Sequence, residues 1–167
     1  MKAARLIVIA GVSGSGKSTV GRGLAERLGL HFLEGDDFHG PANVAKMASG
    51  KPLQDSDRKS WIEALCHASN AHSGDVVVSC SALSRQVRDW IRSGSEKRVI
   101  FLLLQASEET LTQRLSERRD HFMPASLLAS QLAAWEMGDD LLVLDAEGSP
   151  LQIIGQAELM LASSDLP

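Results

Sequence analysis

Eight residues, Gly11-Val-Ser-Gly-Ser-Gly-Lys-Ser18, fit the pattern G-x-x-x-x-G-K-[ST]. The apolar run Leu6-Ile-Val-Ile-Ala10 precedes them and reads as a buried strand. Val20, Leu24 and Leu28 follow at helical spacing, and Gly29 closes that helix. Strand, glycine loop and helix in this order form a phosphate-binding loop and commit the chain to an α/β architecture. Gly11, Gly14 and Gly16 let the backbone turn tightly and come close to an anion. The loop amides and the helix N-terminus then favour negative charge at one point. The phosphate-contacting set is Gly11, Ser13, Gly14, Ser15, Gly16, Lys17, Ser18 and Thr19. Lys17 reaches the β- and γ-phosphates as a point charge, and Ser18 offers its hydroxyl to Mg2+.

The rest of the chain alternates in the same way. Strands are expected at 5–10, 31–34, 76–80, 98–104 and 141–145. Helices are expected at 17–28, 41–49, 60–73, 82–93, 108–119, 124–136 and 150–162, with Ser60 and Glu63 as a capping box for the third. Such alternation predicts a parallel sheet covered on both faces, with ligands at the carboxyl ends of its strands. That rule gathers Gly11–Ser18, Glu34–His39, Ser79–Ala82 and the segment after Leu104 around one crevice. Only Ser163–Pro167 reads as frayed.

The 167 residues suit one domain, and a hydrophobic share of 44% is enough for its core. A net charge of −4 argues against a general nucleic-acid or membrane-surface binder. No apolar run is long enough to span a bilayer, and the N-terminal segment lacks a cleavage site. Cys66 and Cys80, without metal spacing, read as reduced, buried thiols of a cytoplasmic protein.

A phosphate loop specifies a nucleotide but not a reaction. Asp145-Ala-Glu-Gly148 matches D-x-x-G, but too little chain follows to read guanine, so the match reads as chance. The run Val76-Val-Val-Ser-Cys80 ends without an acid, so the usual strand-end aspartate for Mg2+ is missing there. Its replacement lies in Leu33-Glu-Gly-Asp-Asp37, where Asp36 can hold the metal through water or take a proton from an attacking hydroxyl. Asp37 is the weaker candidate. The segment from His39 to Trp61 is dense in polar residues, and His39, Asn43, Lys46 and Arg58 offer the donors and the cation that a polyhydroxy carboxylate needs. Arg114 and Arg118 share a helical face and can close over a nucleotide. The remaining histidines, His31, His67 and His72, form no constellation. Trp90, Trp135 and Met47 read as packing.

These residues resemble the gluconokinase family of small phosphate-loop kinases. The family's G-V-S-G-S-G-K-S is present as it stands. Its longer pattern G-D-x-x-H-P-x-x-N-x-x-K-M-x-x-G-x-P-L-x-D-x-D-R-x-P-W is matched at Gly35, Asp36, His39, Asn43, Lys46, Met47, Gly50, Pro52, Leu53, Asp55, Asp57, Arg58 and Trp61, with Gly40 and Ser60 where proline is usual. Later echoes are Cys80-Ser-Ala-Leu83, Arg85, Arg88 and Asp89, then Arg114-Leu115, Arg118 and His121-Phe-Met123, then Ser130-Gln131 and Glu136. Ser84, Val87 and Asp120 depart from the family.

The resemblance implies a three-layer fold with a five-stranded parallel sheet, helices on both faces and a small helical lid at about 114–136 of a single domain spanning 1–167. It implies ATP-dependent phosphorylation of D-gluconate to 6-phospho-D-gluconate, with ATP and Mg2+ as cofactors. Lys17, Asp36 and Arg118 would be catalytic. Arg114 would sit on the nucleotide, Ser18 on the metal, and Asp36, His39, Asn43, Lys46, Arg58, Arg85 and His121 on the substrate. No nucleic acid or membrane partner is expected, and a homodimer is admitted without being required. Two alternatives stay open: a kinase of another small hydroxy acid, similar to shikimate kinase, and an ATP-binding regulator without a small acceptor.

Overall fold

The computed structural model describes residues 2–118 and 125–165. Five parallel strands form one sheet: β1 (Arg5–Ala10), β2 (His31–Glu34), β3 (Val76–Ser79), β4 (Arg98–Gln105) and β5 (Leu141–Asp145), in the order β2-β3-β1-β4-β5. Seven α-helices connect them among the described residues: α1 (Lys17–Leu28), α2 (Pro41–Ala48), α3 (Asp55–Asn70), α4 (Arg85–Gly94), α5 (Glu108–Glu117), α6 (Ala125–Ala134) and α7 (Pro150–Ser164).

Central β1 is apolar on both faces because both are covered. Leu6, Val8 and Ala10 meet Trp61, Ile62 and Leu65 of α3 and Val87 and Ile91 of α4. Ile7 and Ile9 meet Val20 and Leu24 of α1 and Ile153, Ile154 and Ala157 of α7. Leu6 through Ala10 are fully buried. A strand with no polar face can sit only inside a three-layer stack.

The expected strands all form. Two helix starts differ from expectation. Helix α3 begins at Asp55, five residues before the Ser60 start. Its cap is Gln54, whose N–H donates to Asp57 Oδ2 over 2.9 Å; Ser60 lies inside the helix. Helix α4 begins at Arg85 because Ala82 holds φ at 46°, incompatible with a helical turn, and Ser84 Oγ accepts from the Val87 N–H. Of the C-terminal segment expected to fray, Ser163–Asp165 are ordered, and 166–167 lie outside the described residues. Ser163 and Ser164 are helical, and Asp165 pairs with Lys2 and Arg5.

The strand ends are fixed by a close approach between neighbours. Gly35 follows β2, and a Cβ built there would lie 1.9 Å from the Ser79 carbonyl oxygen. The Gly35 N–H donates to Ser79 Oγ, and its carbonyl accepts from Trp61 Nε1 over 2.8 Å. Any side chain at 35 must push β2 and β3 apart. Gly35→Ala should therefore cost about 3 kcal/mol or more in urea unfolding; a variant as stable as the parent would show that the approach can relax.

Candidate active site

The phosphate loop runs from the buried end of β1 into α1. Gly11 has φ of 144° and Gly14 of 84°, and a Cβ on Gly11 would lie 2.7 Å from Ser15 Oγ. Gly16 precedes α1 with φ of 97°. Only glycine takes these values cheaply. Ser15 is buried, and its hydroxyl donates to the Val12 carbonyl. Lys17 Nζ donates to the same carbonyl over 3.0 Å. Burial lowers the Lys17 pKa; the Asp36 and Glu34 carboxylates pull it back up, and Arg118 pushes it down. Asp36 and Arg118, chosen from sequence on separate segments, thus act electrostatically on the loop lysine. Ser18 is the second residue of α1, and Thr19 is exposed.

A cavity of about 300 Å3 lies over the loop. Gly14, Ser15, Gly16, Thr19, Arg114 and Arg118 line it on one side, and Gly148, Pro150 and Ile153 on the other. Arg114 is held across it, its Nη2 donating to the Ala146 carbonyl over 2.6 Å. The second wall was not foreseen. Its residues carry no charge, and Asp145-Ala-Glu-Gly148 was read as a chance match. The only available signal was position: this loop follows the carboxyl end of β5.

The acid that β3 lacks is supplied by its neighbour. Glu34 ends β2, is in register with Ser79, and its carboxylate accepts from Ser79 Oγ. Glu34 also lies 3.8 Å from Arg22 of α1. Glu34 and Asp36 both act on the charge of Lys17, the residue next to Ser18 in the chain, and a serine hydroxyl with carboxylates is the hard-oxygen chemistry that Mg2+ takes alongside phosphate oxygens and water. Among the described residues no group of three His, Cys, Asp or Glu side chains forms a metal cage by itself. Cys80 is buried beside Lys17, and burial pushes its thiol up to about 12. It stays protonated and inert.

A second cavity opens between the α2–α3 connection and α6. Met47, Lys51, Leu53, Arg58, Leu83, Ser130 and Gln131 are among its walls. Arg58, a sequence candidate, reaches it; Lys51, Ser130 and Gln131 were not candidates. The other polar candidates are tied to one another. The His39 ring stacks on Trp61 with centroids 4.1 Å apart, and its Nδ1 lies 3.2 Å from Asn43 Nδ2. Asn43 Nδ2 donates to the Asp57 carbonyl over 2.8 Å, and Lys46 Nζ to Asp57 Oδ2 over 2.7 Å. Burial holds the His39 pKa below its ordinary value, Asp36 raising it and Arg58 lowering it.

Arg85 is not brought to either cavity. Its Nη2 donates to the Met137 carbonyl and its N–H faces Glu136. His121 lies outside the described residues. Arg88, quoted only as an echo of a pattern, is fully buried. Its guanidinium donates to Asp140 Oδ2, to the Ala82 and Leu83 carbonyls and to the Glu136 carbonyl, all within 3.0 Å. It fastens the chain leaving α6 to the turn after β3. His31 and His72, expected to stand apart, stack with centroids 3.8 Å apart. Trp90 and Trp135 pack against the core as expected. No described helix is long and apolar enough to cross a membrane.

A family profile described as an AAA domain matches residues 6–137. A gluconokinase of Gluconobacter oxydans is 49% identical over 149 residues, covering 86% of this chain and 83% of the relative. The crystal structure of a sugar kinase from Janibacter sp. HTCC2649 superposes with a TM-score of 0.88 at 43% identity, covering 95% of both chains. That of a gluconokinase from Sinorhizobium meliloti superposes with a TM-score of 0.87 at 40% identity, covering 98% of this chain and 94% of the other. With a phosphate loop, an acid after β2 and a second cationic cavity already in place, these similarities assign the chain to the gluconokinase family of P-loop kinases.

Proposed function

We propose that the protein transfers the γ-phosphoryl group of ATP to the terminal hydroxyl of D-gluconate, giving 6-phospho-D-gluconate. The observation that carries this reading is a cavity lined by the phosphate loop and a second, cationic cavity joined to that loop through the Ser13–Gln131 hydrogen bond. The first cavity suits a nucleotide. The second offers Arg58 and Lys51 to a carboxylate and Ser130 and Gln131 to hydroxyls.

The chain's roles follow from charge. The amides of Gly14 to Ser18 and the Lys17 ammonium receive the β- and γ-phosphates. Gly11, Ser13 and Thr19 shape the loop around them. Arg114 and Arg118 cover the nucleotide as the described part of the lid expected at 114–136, of which 119–124 lie outside the described residues. Ser18, with Asp36 through water, would hold Mg2+, which would supply positive charge to offset that of the phosphates. Asp36 aims the attacking hydroxyl and takes its proton. His39, Asn43 and Lys46 hold the rim of the acceptor pocket through Trp61 and Asp57. The transferred group needs little covalent help, so positioning and electrostatics supply most of the rate. Supply of ATP and two reduced thiols suit a cytoplasmic setting.

A coupled ADP-release assay over a panel of sugar acids should give turnover with D-gluconate above all others. Strong ATP turnover independent of any sugar acid would instead favour a nucleotide-driven regulator. Lys17→Ala should lower phosphoryl transfer by about 100-fold or more with the fold intact by circular dichroism; near-normal turnover would remove the loop lysine from the mechanism.

His39 gives a pH test. Its lowered pKa means the unfolded chain takes up a proton at this site before the folded one, so its contribution to stability falls as pH drops below 6.5. An NMR titration should place the His39 midpoint below 6.5, and Asp36→Asn should lower it further by removing the attraction that raises it. A midpoint that rises in Asp36→Asn would show that the two groups do not face each other.

A further inference from the structure

Gln131 lies on α6, 118 residues from the phosphate loop, yet its Oε1 accepts from the Ser13 N–H over 2.8 Å. The same side chain lines the second cavity, with Arg58, Lys51 and Ser130. Ser13 does not line the nucleotide cavity, whose loop contribution begins at Gly14. Through Gln131 the Ser13 amide is tied to the wall of the second cavity. Packing fixes the approach: Leu128 of α6 meets Val12, Leu83 and Leu111 in a small core of its own. Val12 precedes Ser13, and Leu128 stands one turn before Gln131, so the apolar contact and the hydrogen bond form one junction.

A carboxamide has two ends with opposite capacities: an oxygen that accepts and an NH2 that donates. With Oε1 engaged by the loop amide, orientation of the group is set. The Ser13 bond is the only hydrogen bond of the Gln131 side chain among the described residues, and Nε2 is the end of the group that remains to face the cavity it borders. We propose that Gln131 is a positioning residue for phosphoryl transfer: locked to the phosphate loop through Oε1, it presents Nε2 to a hydroxyl of the bound sugar acid and so registers the acceptor against the γ-phosphate. The inference rests on the gluconate-kinase reading of the same site. It makes acceptor alignment depend on the loop directly, with no intervening segment. Water lacks the chain of hydroxyls that Nε2 would hold, so this alignment favours transfer to the sugar acid over hydrolysis.

The two ends can be separated by substitution. Gln131→Glu keeps an oxygen for the Ser13 N–H but replaces the donor with a charged acceptor. Gln131→Met keeps the length and removes both ends. Three quantities are read for wild type and both variants: KM and kcat with D-gluconate, acceptor-independent ATP hydrolysis, and affinity for a fluorescent ADP analogue. Gln131→Glu should raise KM for gluconate roughly tenfold or more while nucleotide affinity stays within about twofold. Gln131→Met should raise KM and also lower kcat, and the ratio of hydrolysis to transfer should rise in both. Unchanged KM and hydrolysis ratio in Gln131→Glu, with wild type active on gluconate, would overturn the role of Gln131 alone. Equal losses of nucleotide and gluconate affinity would also overturn it, by showing a merely structural contact. A wild type that binds the nucleotide analogue but phosphorylates no sugar acid would overturn both this inference and the reading beneath it.

Discussion

The constraint on which the rest depends is the complete burial of β1. Five successive residues without exposed surface leave that strand no freedom to slide or twist. The phosphate loop is the direct continuation of β1, so its glycines leave a fixed platform and enter α1 at a fixed angle. The same burial on both faces brings β3 and β4 alongside. Their carboxyl ends then open onto the place where the loop turns. A strongly curved, amide-lined loop is costly to hold in shape. Here it is held by a strand with no exposed surface between Leu6 and Ala10.

Against that platform the acidic and cationic groups act as a balanced set. Lys17 is drawn toward neutrality by burial and held charged by Asp36 and Glu34. Neither carboxylate belongs to the strand that usually supplies one. Glu34 reaches the end of β3 by bonding to Ser79, and Gly35 makes this reach short by letting the two backbones nearly touch. The small residue and the acid beside it thus belong to one solution: the acid moves to the neighbouring strand, and the strands close up to admit it.

Much of this was legible in the sequence, and the parts that were not share a cause. Buried parallel strands write themselves as unbroken apolar runs, so all five were readable. The loop is legible because three glycines, a lysine and a serine at fixed spacing have few other uses. Helix starts were harder, since Gln54 and Ser84 cap by local hydrogen bonds that resemble ordinary polar surface. In segment 39–61 spacing singles out His39, Asn43, Lys46 and Arg58 as polar candidates. It does not encode that Asn43 and Lys46 are each also bonded to Asp57. The wall formed by Gly148, Pro150 and Ile153 was missed because an apolar surface facing a ligand looks like any other. Gln131 was visible only as part of a pattern, since its partner lies at the opposite end of the chain.

Arg88 has a consequence of a mechanical sort. One planar, permanently charged group binds three stretches of chain: the turn after β3, the exit from α6 and the approach to β5. A lysine could not span these acceptors, because its ammonium is a single point where the guanidinium is a fork. Fraying in any one stretch strips partners from a cation that water cannot reach, so loosening cannot stay local. The site's outer wall and the sheet beneath it are thereby made to yield together, and the molecule gains cooperativity from a side chain that touches no ligand.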